Sequence, residues 1–115
     1  MPTPIYHMCR RDEWDAALAS GSYPGSSQDR ADGFIHFSTA AQIVASAAKH
    51  RAGQDDLVLI ECDADALGAA LKWEASRGGA LFPHLHAALD PAKVVRSAPL
   101  RLDADGRHAF PWGLR

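Results

Sequence analysis

Four histidines occur inside segments that read as β-strands: His7 in "PIYHMC", His36 in "GFIHFS", and His84 and His86 in "LFPHLHAAL". Imidazole is the side chain best suited to moving protons near neutral pH, and neutral imidazole is a common metal ligand. Burying several imidazoles costs desolvation at each one, so a set of four in a small chain points to a shared task. Residues two apart on a strand share a face, which puts His84 and His86 side by side. A metal centre built on that pair would need His7, His36 or Glu74 as a further ligand. Glu74, in "LKWEAS", can instead orient an imidazole or bind a hydroxyl. Ser38 lies two past His36 and reads as the N-cap of a following helix, whose first N–H groups would offer donors to a phosphate. Tyr23, Trp14 and Trp112 have rings able to stack on a base, although core packing suits Trp14 better. No G-x-S-x-G elbow accompanies Ser38, so nucleophilic serine chemistry has no support.

These residues must be carried by a small fold. The chain has 115 residues with 47% hydrophobic and 23% charged content, the profile of one globular domain, 1–115, able to build a core without staples. The net charge of −2 leaves no electrostatic footprint for nucleic acid. The arginines are scattered and balanced by acidic residues. Cys9 and Cys62 are too few for a disulfide framework and sit in apolar runs. No apolar run reaches the length of a membrane span. The opening segment lacks a basic leader followed by an apolar stretch, so the expected setting is cytoplasmic.

Along the chain, "PIYHMC" reads as a first strand. "RRDEWDAALASG" reads as a helix with Asp12 as N-cap, Gly21 as its stop, and Trp14, Ala17 and Leu18 on one apolar face. "GSYPGSSQDRADG" (21–33) reads as a loop. "FIHF" is a strand, and 38–53 a helix with Ile43, Ala47 and His50 on one face and Gly53 at its end. "LVLIECD" (57–63) is a near-continuous apolar run, as in a buried strand. "LKWEAS" alternates, "RGGA" (77–80) is a turn, and Pro83 implies an edge strand or a bend in 81–89. "KVVRSAPLRLD", "DADG" and "RHAF" suggest a final hairpin. The expected class is α+β: a split, mostly antiparallel sheet with two main helices in the N-terminal half.

The order of "IYHMC", "SYP", "DGFIHFST", "LKWE", "FPHLHAAL" and the closing "DADG" hairpin resembles the DUF952 family, small and mainly bacterial proteins of unknown function. The resemblance spans roughly residues 4 to 111 and is strongest at "GFIHFS" and "FPH". His86 and Ala87 depart from it, standing where the family usually has Tyr and Gly. The resemblance implies a fold similar to ADP-ribosyltransferases and RNA 2′-phosphotransferases, with NAD as the cofactor in the cleft. It implies His7 at the first-strand position that holds a ribose, His36 at the second, and Glu74 or His84 at the third. The expected catalytic set is therefore His7, His36, Glu74 and His84, with Ser38 and Tyr23 binding the nucleotide. Two alternatives stand beside it: a non-enzymatic domain binding a small molecule or partner, and a His-ligated metal-dependent enzyme.

Overall fold

The computed structural model describes residues 2–76 and 78–115, so Arg77, in the expected "RGGA" turn, lies outside the described residues. The strand expected from the near-continuous apolar run is the centre of the architecture. Strand β4 (Leu57–Asp63) lies between β1 (Pro4–Arg10) and β7 (Val94–Leu102), and β3 (Ser38–Thr39) and β8 (His108–Ala109) complete a five-stranded sheet in the order β3-β1-β4-β7-β8. All pairings are antiparallel. Because side chains alternate, β4 sends Val58, Ile60 and Cys62 into one core cluster and Leu57 and Leu59 into another on the opposite face. β1 alternates in step, with Ile5 and Cys9 on the first side and Tyr6 on the second. His7 therefore points to the same side as Ile5 and Cys9.

A second sheet covers that first side. It has three strands in the order β2-β6-β5: β2 (Ile35–His36), β6 (Leu81–Leu85) and β5 (Leu71–Ala75). The expected "FIHF" strand is thus divided. Ile35 and His36 pair with Leu85 and His84 in the small sheet, whereas Ser38 and Thr39 pair with Tyr6 and Ile5 in the large one. Phe37, 1% exposed, is the crossing point. Pro83 sits in the central strand of the small sheet, not at an edge. In antiparallel pairing a residue's N–H and C=O point to the same neighbour. The Pro83 carbonyl accepts the Phe37 N–H at 2.9 Å, where β2 is ending. The missing proline N–H therefore falls where the ladder has stopped.

Three α-helices occupy the N-terminal half. α1 (Arg11–Ser20) buries Trp14 and Ala17, but Leu18 is 56% exposed, so its apolar face is narrower than expected. Its N-cap is Arg10, not Asp12, and Glu13 accepts the Arg10 N–H at 3.1 Å; Gly21 ends it in the left-handed conformation. α2 (Ser27–Asp32) occupies the segment expected to be a loop. α3 (Ile43–His50) begins five residues later than expected and ends before Gly53. Ile43 and Ala47 are buried while His50 is exposed. Ser38 is not its N-cap: Ser38 lies on β3 and donates its hydroxyl to Ser46 Oγ at 3.0 Å. Gln42 makes the turn, accepting the Thr39 N–H and donating to the Leu81 carbonyl. The proposed phosphate-binding helix start beside His36 is thereby lost.

Trp112 is also committed to packing. It lies 6.3 Å from the Tyr6 ring and carries the Arg96 guanidinium at 4.2 Å over its face. Phe110, Trp112 and Leu114 lie on the second cluster and close the outer side of the large sheet. Among the described residues no helix is long and apolar enough to cross a membrane. Cys9 and Cys62 are free and buried, and burial pushes both thiols up to about 12, so they stay protonated.

Candidate functional site

The residue that organises the histidines is Asp29, in the first turn of α2. Ser26 caps this short helix, accepting the Asp29 N–H, while Asp29 accepts the Ser26 N–H in return at 2.8 Å. This is the reciprocal capping box, which fixes both termini of the first turn. Here it also holds the Asp29 carboxylate inside the protein, 3% exposed. Oδ1 accepts the His36 ring Nδ1–H at 2.6 Å and the His36 backbone N–H at 3.2 Å. Burial alone would raise this carboxyl. The hydrogen bond from the His36 ring, the charge interaction with His7, and the Ser26 and His36 N–H groups outweigh it and hold Asp29 down to about 2. Asp32, three residues on, lies 3.2 Å from His36 Nε2. Both ring nitrogens of His36 thus face carboxylate oxygens.

His7 lies directly beneath. Its Nδ1–H donates to the His36 carbonyl at 2.6 Å, and Nε2 accepts the Tyr23 hydroxyl at 2.7 Å. Asp29 Oδ2 is 3.5 Å from the same Nε2. Burial pushes the His7 imidazole below the ordinary histidine range, and Asp29 only partly opposes this. Neutral His7 with its proton on Nδ1 fits both partners. Tyr23 is 1% exposed, its ring against Trp14 and His7, and burial holds its phenol well above the usual range. Its ring therefore has no free face for a base. It belongs to the site through its hydroxyl, which fixes His7, which fixes the backbone of His36.

The third group comes from the small sheet. Glu74 on β5 and His84 on β6 face the same side of adjacent strands, and His86 follows β6 by one residue. Glu74 Oε1 accepts His84 Nδ1–H at 2.9 Å and His86 Nε2–H at 2.7 Å. These two hydrogen bonds hold the Glu74 carboxyl below its usual range. Phe34 lies among the imidazoles. Its ring centroid is 4.2 Å from His84, 4.6 Å from His36 and 5.2 Å from His86. His36 and His84 meet edge to face at 5.4 Å. A hollow of about 260 Å³, lined by Phe34, His86, Asp29 and Arg30 among others, opens beside this aromatic group.

The structure thus joins His7, His36, Glu74 and His84 through one chain of contacts, but in two layers. His36, Glu74 and His86 reach the surface, while His7 lies beneath them at 3% exposure and cannot touch a ligand itself. Ser38 is separate, engaged with Ser46. Asp29, Asp32 and Phe34 were not singled out by sequence reasoning, although Ser26-x-x-Asp29 is a capping-box signature that was there to be read. Among the described residues no group of three or more His, Cys, Asp and Glu side chains is placed to hold a metal ion. The two rings of the H-x-H pair each turn a nitrogen to the same oxygen of Glu74.

A pH dependence follows from the buried layer. His7 has a lower pKa folded than its ordinary 6.5, so protons bind more readily to the unfolded chain. The stability is full above about pH 6.5 and falls as the pH drops below it. Asp29, depressed from 3.8 to about 2, adds a second loss in that lower interval. Urea unfolding between pH 8 and 5 should show a decreasing midpoint for the parent protein. His7→Gln should have a lower stability at pH 8 and a much flatter profile, with His50 supplying what slope remains. Parallel profiles for the two proteins would contradict this.

Comparisons with known proteins agree with the fold. A family model described as a protein of unknown function (DUF952) matches residues 8–97. The crystal structure of Protein CC0527 from Caulobacter crescentus is 53% identical, with a TM-score of 0.89 over 93% of this chain and 94% of that one. The solution NMR structure of CC0527 is 54% identical, with a TM-score of 0.82 over 90% of each chain. No curated protein matches the chain.

Proposed function

The chain belongs to the DUF952 family, and from that premise we propose that it binds the ribose end of a nucleotide such as NAD at the Phe34 hollow and transfers protons there through His36. The reading is of a cytoplasmic enzyme of ADP-ribosyltransferase type. The observation that carries it is the geometry of His36, held at 2.6 Å by a buried carboxylate on one nitrogen and 3.2 Å from an exposed one on the other. A ring fixed in this way is oriented before a substrate arrives, which is what general acid–base catalysis needs.

Each residue has a distinct part. Asp29 orients His36 and keeps a proton on its Nδ1. Asp32 is the group a ligand hydroxyl would displace from Nε2, because it is the more exposed partner. Glu74, with His84 and His86, offers a carboxylate whose oxygens can accept ribose hydroxyls. Cleaving a nicotinamide–ribose bond develops positive charge on the sugar, and Glu74 is the anion at the surface of the small sheet that could stabilise it. Phe34 provides the apolar wall. His7 and Tyr23 position the His36 backbone and do not touch substrate.

Calorimetric titration with NAD tests this. The parent protein should bind with a dissociation constant in the micromolar to millimolar range, and His36→Ala should weaken binding by about tenfold, the scale of one charge-assisted hydrogen bond. Absence of heat at millimolar NAD would end the proposal.

A further inference from the structure

The Phe34 hollow has a neighbour. A second hollow of about 350 Å³ runs along α1, with Ala16, Ala17 and Pro24 as its apolar wall and Ser20 and Ser22 at its polar edge. The two hollows share Pro24 and Arg30. Arg30 is exposed on α2, and among the described residues it forms no ion pair, whereas Arg10, Arg11 and Arg96 each face a carboxylate. Glu13, also on the α1 side, turns its two oxygens to the backbone N–H groups of Arg10 and Ser27. The guanidinium at the junction of the two hollows is thus free to meet an incoming anion.

We infer that the ligand has two ends joined by a phosphate or diphosphate, which Arg30 grips between the Phe34 hollow and the α1 hollow. This rests on the nucleotide reading above and extends it by naming where the second half lies. Guanidinium is planar and presents paired N–H donors that match phosphate oxygens. The first hollow alone is below the usual size of a ligand site, while the two as one cleft fall inside the usual range of about 300–1,000 Å³. The small side chains of Ala16 and Ala17 leave room for a flat ring against α1. The ring of a nucleoside diphosphate derivative would lie there, with its other ribose in the Phe34 hollow against His86, next to His36.

Two substitutions separate the parts. Ala16 is exposed, so Ala16→Leu fills the α1 hollow without entering the core. Arg30→Gln removes the cation and keeps a polar side chain. The probes are ADP-ribose, which has both ends, and ribose 5-phosphate, which has one. By calorimetry Ala16→Leu should weaken ADP-ribose about tenfold and leave ribose 5-phosphate unchanged, whereas Arg30→Gln should weaken both about tenfold or more. Ribose 5-phosphate that binds and is weakened by His36→Ala, with ADP-ribose indifferent to Ala16→Leu or to Arg30→Gln, would overturn the two-ended cleft and leave the Phe34 site standing. Absence of binding by either probe to the parent protein would remove both.

Discussion

Asp29→Ala should lower the stability of the protein by about 2–4 kcal/mol, the cost of leaving several donors that now reach one buried carboxylate without their acceptor. The carboxylate is 3% exposed and accepts from the Ser26 N–H, the His36 N–H and the His36 ring. Its removal leaves those donors in a place water does not easily reach. It also undoes the capping box of a six-residue helix that has little else to hold it. A domain of this size has roughly 5–15 kcal/mol in all, so the loss is a large share of the total. Asp29→Asn should be nearly as damaging, since an amide turns one NH₂ group toward a donor. Thermal and urea unfolding would measure both, and a loss under about 1 kcal/mol for Asp29→Ala would show that the carboxylate is not the anchor described.

Gly25→Ala should cost about 2–4 kcal/mol and should disturb the same site, because Gly25 is where the chain lies against Asp29. Its φ of +103° suits glycine, and a Cβ there would fall 2.7 Å from Asp29 Cβ, with Ile35 Cγ1 at 3.2 Å. Neither the helix nor β2 can retreat without breaking the contacts to His36. Gly21 supplies the control. It also has positive φ, at +82°, but a Cβ there meets nothing within 4 Å. Gly21→Ala should therefore cost only the backbone term of about 1 kcal/mol. Equal losses for the two variants would mean that the close approach to Asp29 has no energetic weight.

Both predictions turn on a segment whose composition hid its structure. Ser, Gly, Pro and Asp over 21–33 read as loop because the same residues that favour turns also cap helices. The reciprocal Ser26–Asp29 spacing distinguishes the two, and six residues are too few to show an apolar period. By contrast, β4 was legible because a strand packed on both faces needs a near-continuous apolar run, here Leu57–Ile60 and Cys62 broken only by Glu61. The strand histidines were legible as a set, since an imidazole is out of place among "FIHF" and "LFPHL". What alternation could not reveal is that the chain changes sheets at Phe37. The side-chain pattern continues through the crossing while the hydrogen-bonding partners change from Leu85 and His84 to Tyr6 and Ile5. Ser38 was misplaced for that reason, and Tyr23 because an aromatic ring in a polar segment gives no sign that it is folded inward.

The outer imidazoles form a binding surface that His7 supports from below. Long-range proton–nitrogen NMR of the histidine rings, recorded with and without NAD, addresses this directly. His7 should show a neutral ring with the proton on Nδ1 in both spectra. On adding NAD the ring nitrogens of His36, His84 and His86 should move together, while those of His50 and His108 stay in place. Ring signals of His36, His84 and His86 that are indifferent to millimolar NAD, or a response confined to His50 and His108, would contradict it.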